Sequence, residues 1–408
     1  MIEQLFPRDW GRFAMSPNGD LVCEFADWIE HRGYSRICSR LYVRHLRRVV
    51  RLRELERDAK GCICLSVVNA LFSPWADDPI YRATRRAVVQ YLAARSMLIS
   101  DIARAPLHEV IDEYQVFLAD VRGFSPSTIG YHTQTVQRLF NQACPDLVAL
   151  SNLLQEAVDH FIERAGKTIS RHSLQHTISH LRSFLKFCAD RNHTKMRLGA
   201  IDMPRVYRGE LPTRALDWAV VCNLLQSIDQ SSLEGLRDHA ILYLMAHCGL
   251  RPSEVAGLTV DAIDWNAATL QVKQCKTRSK IVLPLDDQGQ SVIYRYLKLR
   301  PADAPWKEMF LKVRCPADPI KGATIGDIYD KRVRLSGLPI TKSSPYSLRH
   351  SFAMRLLQGG VAIKTIGDFL GHRSLESTCV YLRLHVEALR EVGLPVPRAN
   401  STLAPEGL

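Results

Sequence analysis

The sequence predicts a mainly α, multi-domain protein with one small β-hairpin or sheet in its last large domain. Three observations carry that reading. Apolar residues recur with helical period through most of the first 200 residues. Two short runs, Thr269-Leu270-Gln271-Val272 and Ile281-Val282-Leu283-Pro284-Leu285, have the composition of paired strands joined by a lysine-bearing turn. Between these regions, Leu198 to Arg214 reads as a linker, with Pro204, Gly209 and Pro212 among Arg205, Arg208 and Arg214. The 408 residues suit two or three domains, and 46% hydrophobic content suffices for ordinary cores. The expected borders are 1–105, 106–197, a basic linker 198–213, 214–393, and a Pro-rich tail 394–408.

Taken in order, the first helical region breaks at Ser73-Pro74, Ala105-Pro106 and Cys144-Pro145. From His31 to Arg53 there are eight arginines and no acidic residue. On a helix, Arg36, Arg40, Arg44, Arg47, Arg48 and Arg51 share one face, with Tyr42, Leu46, Val49 and Val50 opposite. Such a helix packs by its apolar side and presents guanidinium groups, which pair with phosphates or guanine edges; a merely solvated basic face fits the same pattern. Arg32-Gly33-Tyr34-Ser35 is echoed ninety residues later by Arg122-Gly123-Phe124-Ser125, as two related helical modules or as a chance likeness. Arg164 to Ala189 also lacks carboxylates. Leu174, Ile178, Leu181, Leu185 and Cys188 form its apolar stripe, with His172, His176, His180 and Lys186 expected on the far side. No cysteine or carboxylate joins those histidines, so they read as a polar surface and no metal is expected.

Net charge of +12 points to a polyanionic partner, nucleic acid ahead of membrane, although a merely basic soluble protein carries the same charge. The start MIEQLFPRDWGRF has no signal-peptide pattern, and the greasiest stretch, Ala240 to Leu250, is too short to span a bilayer. A soluble protein is expected. Eleven cysteines, scattered singly apart from Cys62-x-Cys64, read as reduced thiols in a cytoplasm-like compartment. Gly166-Lys167-Thr168 has the tail of a Walker loop, but Phe161 stands where its first glycine belongs. No cofactor is therefore implied.

The last third holds a spaced set of phosphate-handling groups. Arg251, in CGLRPSEVAGL, follows a predicted helix ending at Gly249 and precedes another opened by Pro252-Ser253-Glu254. Arg349, in YSLRHSF, lies one turn into a helix begun by Ser344-Pro345. His372 follows Gly371 after the apolar run Ile366–Leu370, and Tyr381 comes nine residues later with Thr378 between. Cleaving a phosphodiester with an enzyme nucleophile requires an in-line nucleophile, cationic donors to the non-bridging oxygens and a proton for the leaving oxygen. Taken singly, a helical tyrosine is usually core and a hairpin lysine usually solvated; the case lies in the set.

That ordered set, with the GLRxSE and LGH elements and the GHxxxxxTxxY spacing, resembles the active site of tyrosine recombinases of the phage-integrase family. The resemblance covers roughly residues 107 to 393 and implies that family's multi-domain architecture, with a helical core-binding domain ahead of the catalytic one. It implies Tyr381 as nucleophile and Arg251, Arg349 and His372 around the phosphate. Counting back from Leu283-Pro284-Leu285, it implies Lys276 as the general acid, with Lys273 and Lys280 nearby. The family normally reads His-x-x-Arg, and here Tyr346 holds the histidine's place. A phenol donates a hydrogen bond but is a poorer proton shuttle near neutral pH. His350 is adjacent to Arg349, yet successive helical residues diverge by about 100°, so it reads as a packing residue or a support to the groups around the phosphate, and not as a substitute for the missing histidine.

The resemblance further implies double-stranded DNA as partner, cleavage and rejoining through a 3′-phosphotyrosine and a Holliday junction, and a homo-tetramer or a mixed tetramer with sister recombinases. On that reading the arginine face and His172, His176 and Lys186 contact DNA. A DNA-binding accessory protein that keeps the fold, and a type IB topoisomerase, are the competing readings.

Overall fold

The computed structural model describes residues 2–15, 18–51, 61–99, 106–143, 150–194, 201–206, 215–274, 279–302, 304–314, 316–372, 376–379 and 381. The predicted tail, most of the predicted linker and Lys276 lie outside these residues. The chain divides into two compact units. One holds Met1–Ala26 and Arg40–Glu210; the other holds Asp27–Ser39 and Leu211–Leu408.

Short helices at Ile2–Leu5 and Trp10–Ala14 precede Gly19–His31, Arg36–Arg51, Leu65–Phe72 and Pro79–Ala94, a stretch that belongs to the first unit except for Asp27–Ser39. Ser73–Trp75 is a single 3₁₀ turn with Pro74 at its start, at the first predicted break. The arginine-rich helix buries Val43, Leu46, Val49 and Val50, while Tyr42 is half-buried. Arg36, Arg40, Arg44, Arg48 and Arg51 are exposed. Arg47 departs from the expected face: its guanidinium lies 4.3 Å from the Phe13 ring centre and donates to the Arg12 carbonyl. Ring faces attract planar cations, and Arg40 and Arg44 lie over Phe6 in the same way. Two-residue strands, Ile63–Cys64 and Leu98–Ile99, pair in parallel. They were not expected, being too short to show any alternation.

A helical bundle follows, built from Pro106–Val116, Pro126–Ala143, Gln155–Thr168 and Arg171–Asp190. Its core includes Tyr114, Leu118, Val136, Leu139, Val158, Phe161, Ile178, Leu181 and Phe184. Phe161 is thus a core residue inside a continuous helix, which leaves no phosphate-binding loop at Gly166-Lys167-Thr168. His172, His176 and Lys186 are exposed. His180 is not on that open face as expected. Its Nδ1 bonds the Thr135 hydroxyl at 3.0 Å and its ring packs 4.2 Å from His132. The neighbouring helix Pro126–Ala143 supplies a hydrogen-bonding partner that a single-helix projection does not contain.

The two Arg-Gly-aromatic-Ser turns share a geometry. Gly33 and Gly123 both adopt left-handed φ, at 75° and 62°. Ser35 and Ser125 then accept from the backbone N–H groups of Cys38 and Thr128, capping the next helix.

The second unit is organised around Leu233–His247, whose residues from Gly235 to Ala246 are all buried. Asp287–Leu299 and Pro345–Gln358 pack on it. The greasy stretch near Ala240 is therefore a core helix, and no helix among the described residues is long and apolar enough to cross a membrane. The two predicted strands are Thr269–Lys273 and Lys280–Pro284, paired antiparallel with Val272 opposite Ile281. A short third strand, Ile263–Asp264, extends the sheet beside Thr269–Leu270. Leu270 and Val272 point inward and Gln271 and Lys273 outward, so the pleat buries one face. Asp238, fully buried, accepts from both Arg237 and Arg332 and ties the core helix to Gly322–Ser336.

Candidate active site

Arg251 sits where the chain turns from the core helix into the short helix Pro252–Ala256. The turn is made by Gly249, at φ 64°, where an added Cβ would lie 2.5 Å from the Phe352 ring. Only glycine fits that conformation and that space. Pro252 at the first helical position fixes the exit direction, and Glu254 reaches back to accept the Arg251 N–H at 2.8 Å. The same carboxylate takes the Arg251 guanidinium at 2.6 Å and lies 3.6 Å from that of Arg349. Glu254 is 2% exposed, so two arginines share one buried carboxylate. In the sequence Glu254 reads only as a helix-opening residue, although its spacing of three from Arg251 permits this contact.

Arg349 projects from Pro345–Gln358 and is 4% exposed. Its guanidinium donates to the Gly249 and Leu370 carbonyls, each at 2.6 Å, and to His372 Nε2 at 3.3 Å. Burial, then Arg251, pulls its pKa down to about 10, against the opposing pull of Glu254. It remains a cation at neutral pH. His372 follows Gly371, which ends the helix Ile363–Leu370 at φ 61°. Since Arg349 can only donate, His372 Nε2 accepts, and Nδ1–H donates to the buried Thr378 hydroxyl at 2.8 Å. Burial, then Arg349 and Arg251, holds the His372 pKa near 4, so the ring is neutral at pH 7.

Tyr381 is 2% exposed and packs with Phe352, Ala353, Ile366 and Leu370. Its hydroxyl lies 3.0 Å from His350 Nδ1. Burial raises its pKa above the usual tyrosine value, and the nearby Arg349 and Arg251 pull the other way. His350, expected as a packing or supporting residue from its place beside Arg349, thus touches the Tyr381 hydroxyl directly. The signal overlooked was its spacing of four from Tyr346, which puts both on one face of the same helix. Tyr346 itself is 48% exposed. The hairpin tip with Lys276 lies outside the described residues; its base is closed by a Gln274 N–H bond to the Ser279 carbonyl at 2.8 Å.

The site thus gathers Arg251, Arg349, His372 and Tyr381 from four separate segments, and adds Glu254, His350 and Thr378. The arginine-rich helix and the His172, His176 and Lys186 surface are separate features. Two cations held on a buried carboxylate and on backbone carbonyls, beside a protonated phenol, form a cluster whose charge suits an anion.

Residues 214–388 match the phage integrase family, and residues 111–192 match the phage integrase N-terminal SAM-like domain. The chain is 40% identical over 166 residues to "Putative integrase/recombinase y4gC" of Sinorhizobium fredii, covering 40% of this chain and 84% of the relative. A second relative in that organism, "Putative integrase/recombinase y4rA", is 27% identical over 406 residues, 94% of this chain and 97% of the relative. Tyrosine recombinase XerC of Pelobacter propionicus is 27% identical over 298 residues, 70% of this chain and 94% of the relative. Among solved structures, a lambda integrase dimer bound to a core site aligns with TM-score 0.53 at 17% identity, covering 74% of this chain and 87% of that one. XerH recombinase in a post-cleavage complex aligns with TM-score 0.53 at 17% identity, covering 69% and 83%. The mainly α fold with a small antiparallel sheet is that of these recombinases. The chain belongs to the phage integrase family, the tyrosine recombinases.

Proposed function

We propose that this protein is a site-specific DNA recombinase that cuts and rejoins strands through a 3′-phosphotyrosine. The observation that carries the reading is the convergence of Arg251, Arg349, His372 and Tyr381 in one cluster. In this reading Tyr381 attacks the scissile phosphorus, while Arg251 and Arg349 take the non-bridging oxygens, their charge stabilising the phosphorane. His372 supplies a further polar contact, and Tyr346 donates a hydrogen bond from its exposed place on Pro345–Gln358. Lys276 gives the leaving 5′-oxygen its proton. Each cut conserves the bond in the protein–DNA link, so exchange of one strand pair yields a Holliday junction without ATP.

The relatives whose structures are solved include a lambda integrase tetramer on a Holliday junction. A tetramer on two DNA sites, of this chain alone or with sister recombinases, is the corresponding assembly here, acting in the cytoplasm. Residues 1–105 and 106–197 serve as DNA-gripping helical domains, with 198–213 as basic linker, 214–393 as catalytic domain and 394–408 as tail. The exposed arginines 36, 40, 44, 48 and 51, with His172, His176 and Lys186, face the duplex; Arg47 instead braces its helix against Phe13.

The test uses nicked duplexes tiled across the DNA flanking the gene. Wild type should form an adduct that survives a denaturing gel on at least one of them. Tyr381→Phe should form none while binding the same duplex with near wild-type affinity, because only one hydroxyl is lost. An adduct from the Phe variant refutes the assignment.

A further inference from the structure

Resting on that reading, we infer that His350 is the proton acceptor for Tyr381, standing in for a histidine that this chain lacks at position 346. Three observations carry it. The Tyr381 hydroxyl is 3.0 Å from His350 Nδ1, within the range required of a general base. Tyr346, where the family has histidine, is an exposed phenol, which does not shuttle protons near neutral pH. His350 lies one helical turn beyond Tyr346, on the same side of Pro345–Gln358, so an imidazole is still delivered from that face.

The surroundings favour a neutral ring. His350 is faced by Arg349 from its own helix, by Tyr381, and by the neighbouring His372. Arg251, from the turn before Pro252–Ala256, acts on Tyr381 and His372. Burial, then Arg349, lowers the His350 pKa, so the ring is neutral at pH 7; with the Tyr381 O–H donating to Nδ1, the ring hydrogen is on Nε2. Burial meanwhile keeps the phenol protonated, so the nucleophile needs somewhere to put its proton.

The step balances without a further reactant. The Tyr381 proton moves to His350 Nδ1 as the phenolic oxygen bonds to phosphorus. The P–O5′ bond breaks, and its electron pair leaves on O5′, which takes a proton from Lys276. In rejoining, the 5′-hydroxyl returns its proton to Lys276 and attacks. The P–Oη bond then breaks, and the imidazolium returns the first proton to Tyr381.

The test is single-turnover adduct formation by the full chain on the nicked duplex that wild type cleaves fastest, from pH 6 to 9.5. His350→Asn keeps a polar side chain but accepts no proton. It should bind that duplex within about twofold of wild type and cleave at least about 100-fold more slowly at pH 7. Its rate should then climb with pH as hydroxide replaces the base, whereas wild type stays flat above about pH 7. Imidazole in solution should partly restore His350→Ala. A 5′-bridging phosphorothiolate, whose sulfur leaves unprotonated, should rescue Lys276→Ala but neither His350 variant.

A His350→Asn rate within threefold of wild type overturns the inference, as does a faster rate, which would make the contact a latch. Slow cleavage without the pH climb or the imidazole response would make the role structural and also overturns it. If asparagine unfolds the chain, His350→Gln is the second variant, and unfolding by both assigns His350 to the fold. Tyr381→Phe separates the two levels: an adduct from it removes the nucleophile assignment itself, and no wild-type adduct on any duplex removes both. An absent Phe adduct beside an undisturbed Asn variant removes only the role of His350.

Discussion

Replacing Glu254 by glutamine removes the one carboxylate that two buried arginines share while keeping the side chain's size. In the native site it takes the Arg251 guanidinium at 2.6 Å and the Arg251 N–H at 2.8 Å, and it lies 3.6 Å from Arg349. Glutamine's oxygen can still accept the backbone N–H, but its amide presents donors to groups that only donate. Removing one partner of a buried pair costs about 3 to 5 kcal/mol. The lower end applies here, because Arg251 is 15% exposed and Arg349 keeps its two carbonyl partners. In a unit of about 200 residues, about 3 kcal/mol corresponds to a drop in Tm of roughly 6 to 12 °C. Differential scanning calorimetry should show that loss in one transition, with the rest of the trace unmoved. Sulfate or DNA, by supplying the missing negative charge, should recover part of it. A drop under about 2 °C, or one that anions do not reduce, would refute the picture of a carboxylate restraining two cations.

Arg251→Lys should slow adduct formation by at least about 100-fold, since a point charge cannot hold both Glu254 and a phosphate as the planar fork does; near-normal cleavage would mean that charge alone suffices. Neutralising Arg40, Arg44 and Arg48 together should flatten the log–log salt dependence of DNA binding by about 0.9 per arginine if each meets one phosphate. An unchanged slope would assign that face to solvent or protein. Acid should destabilise the fold between about pH 6.5 and 4. His132, His239 and His372 are each held near 4, chiefly by burial. The unfolded chain therefore binds more protons in that window, and the stability present above it is lost as pH falls. Thermal melts across that range should show the decline, and His132→Gln should make it shallower.

Much of this was legible because the signals were local. Strand-like composition on either side of a turn placed the two main strands within a residue of their ends, and Pro252 and Pro345 marked the helices that begin beside Arg251 and that carry Arg349. What escaped was set by contacts between elements. Ile263–Asp264 is two residues long and exists as strand only through its partner. His180 and Arg47 sat correctly on their own helices, but Thr135, His132 and Phe13 drew them in from neighbouring ones. The contact of His350 escaped because its angle was measured against Arg349, whereas its partner Tyr381 lies 31 residues away.

Arg349 holds together the ends of two helices. The Gly249 carbonyl belongs to the turn closing Leu233–His247, and the Leu370 carbonyl is the last of Ile363–Leu370; both ends carry the negative pole of a helix and pass through a left-handed glycine. The arginine is thus a keystone of the architecture before any DNA arrives. A descendant of this chain that had lost all chemistry would still have reason to keep it. Its presence in a sequence therefore testifies to the fold, and evidence of activity must be sought in groups that the fold can spare, such as the hydroxyl of Tyr381.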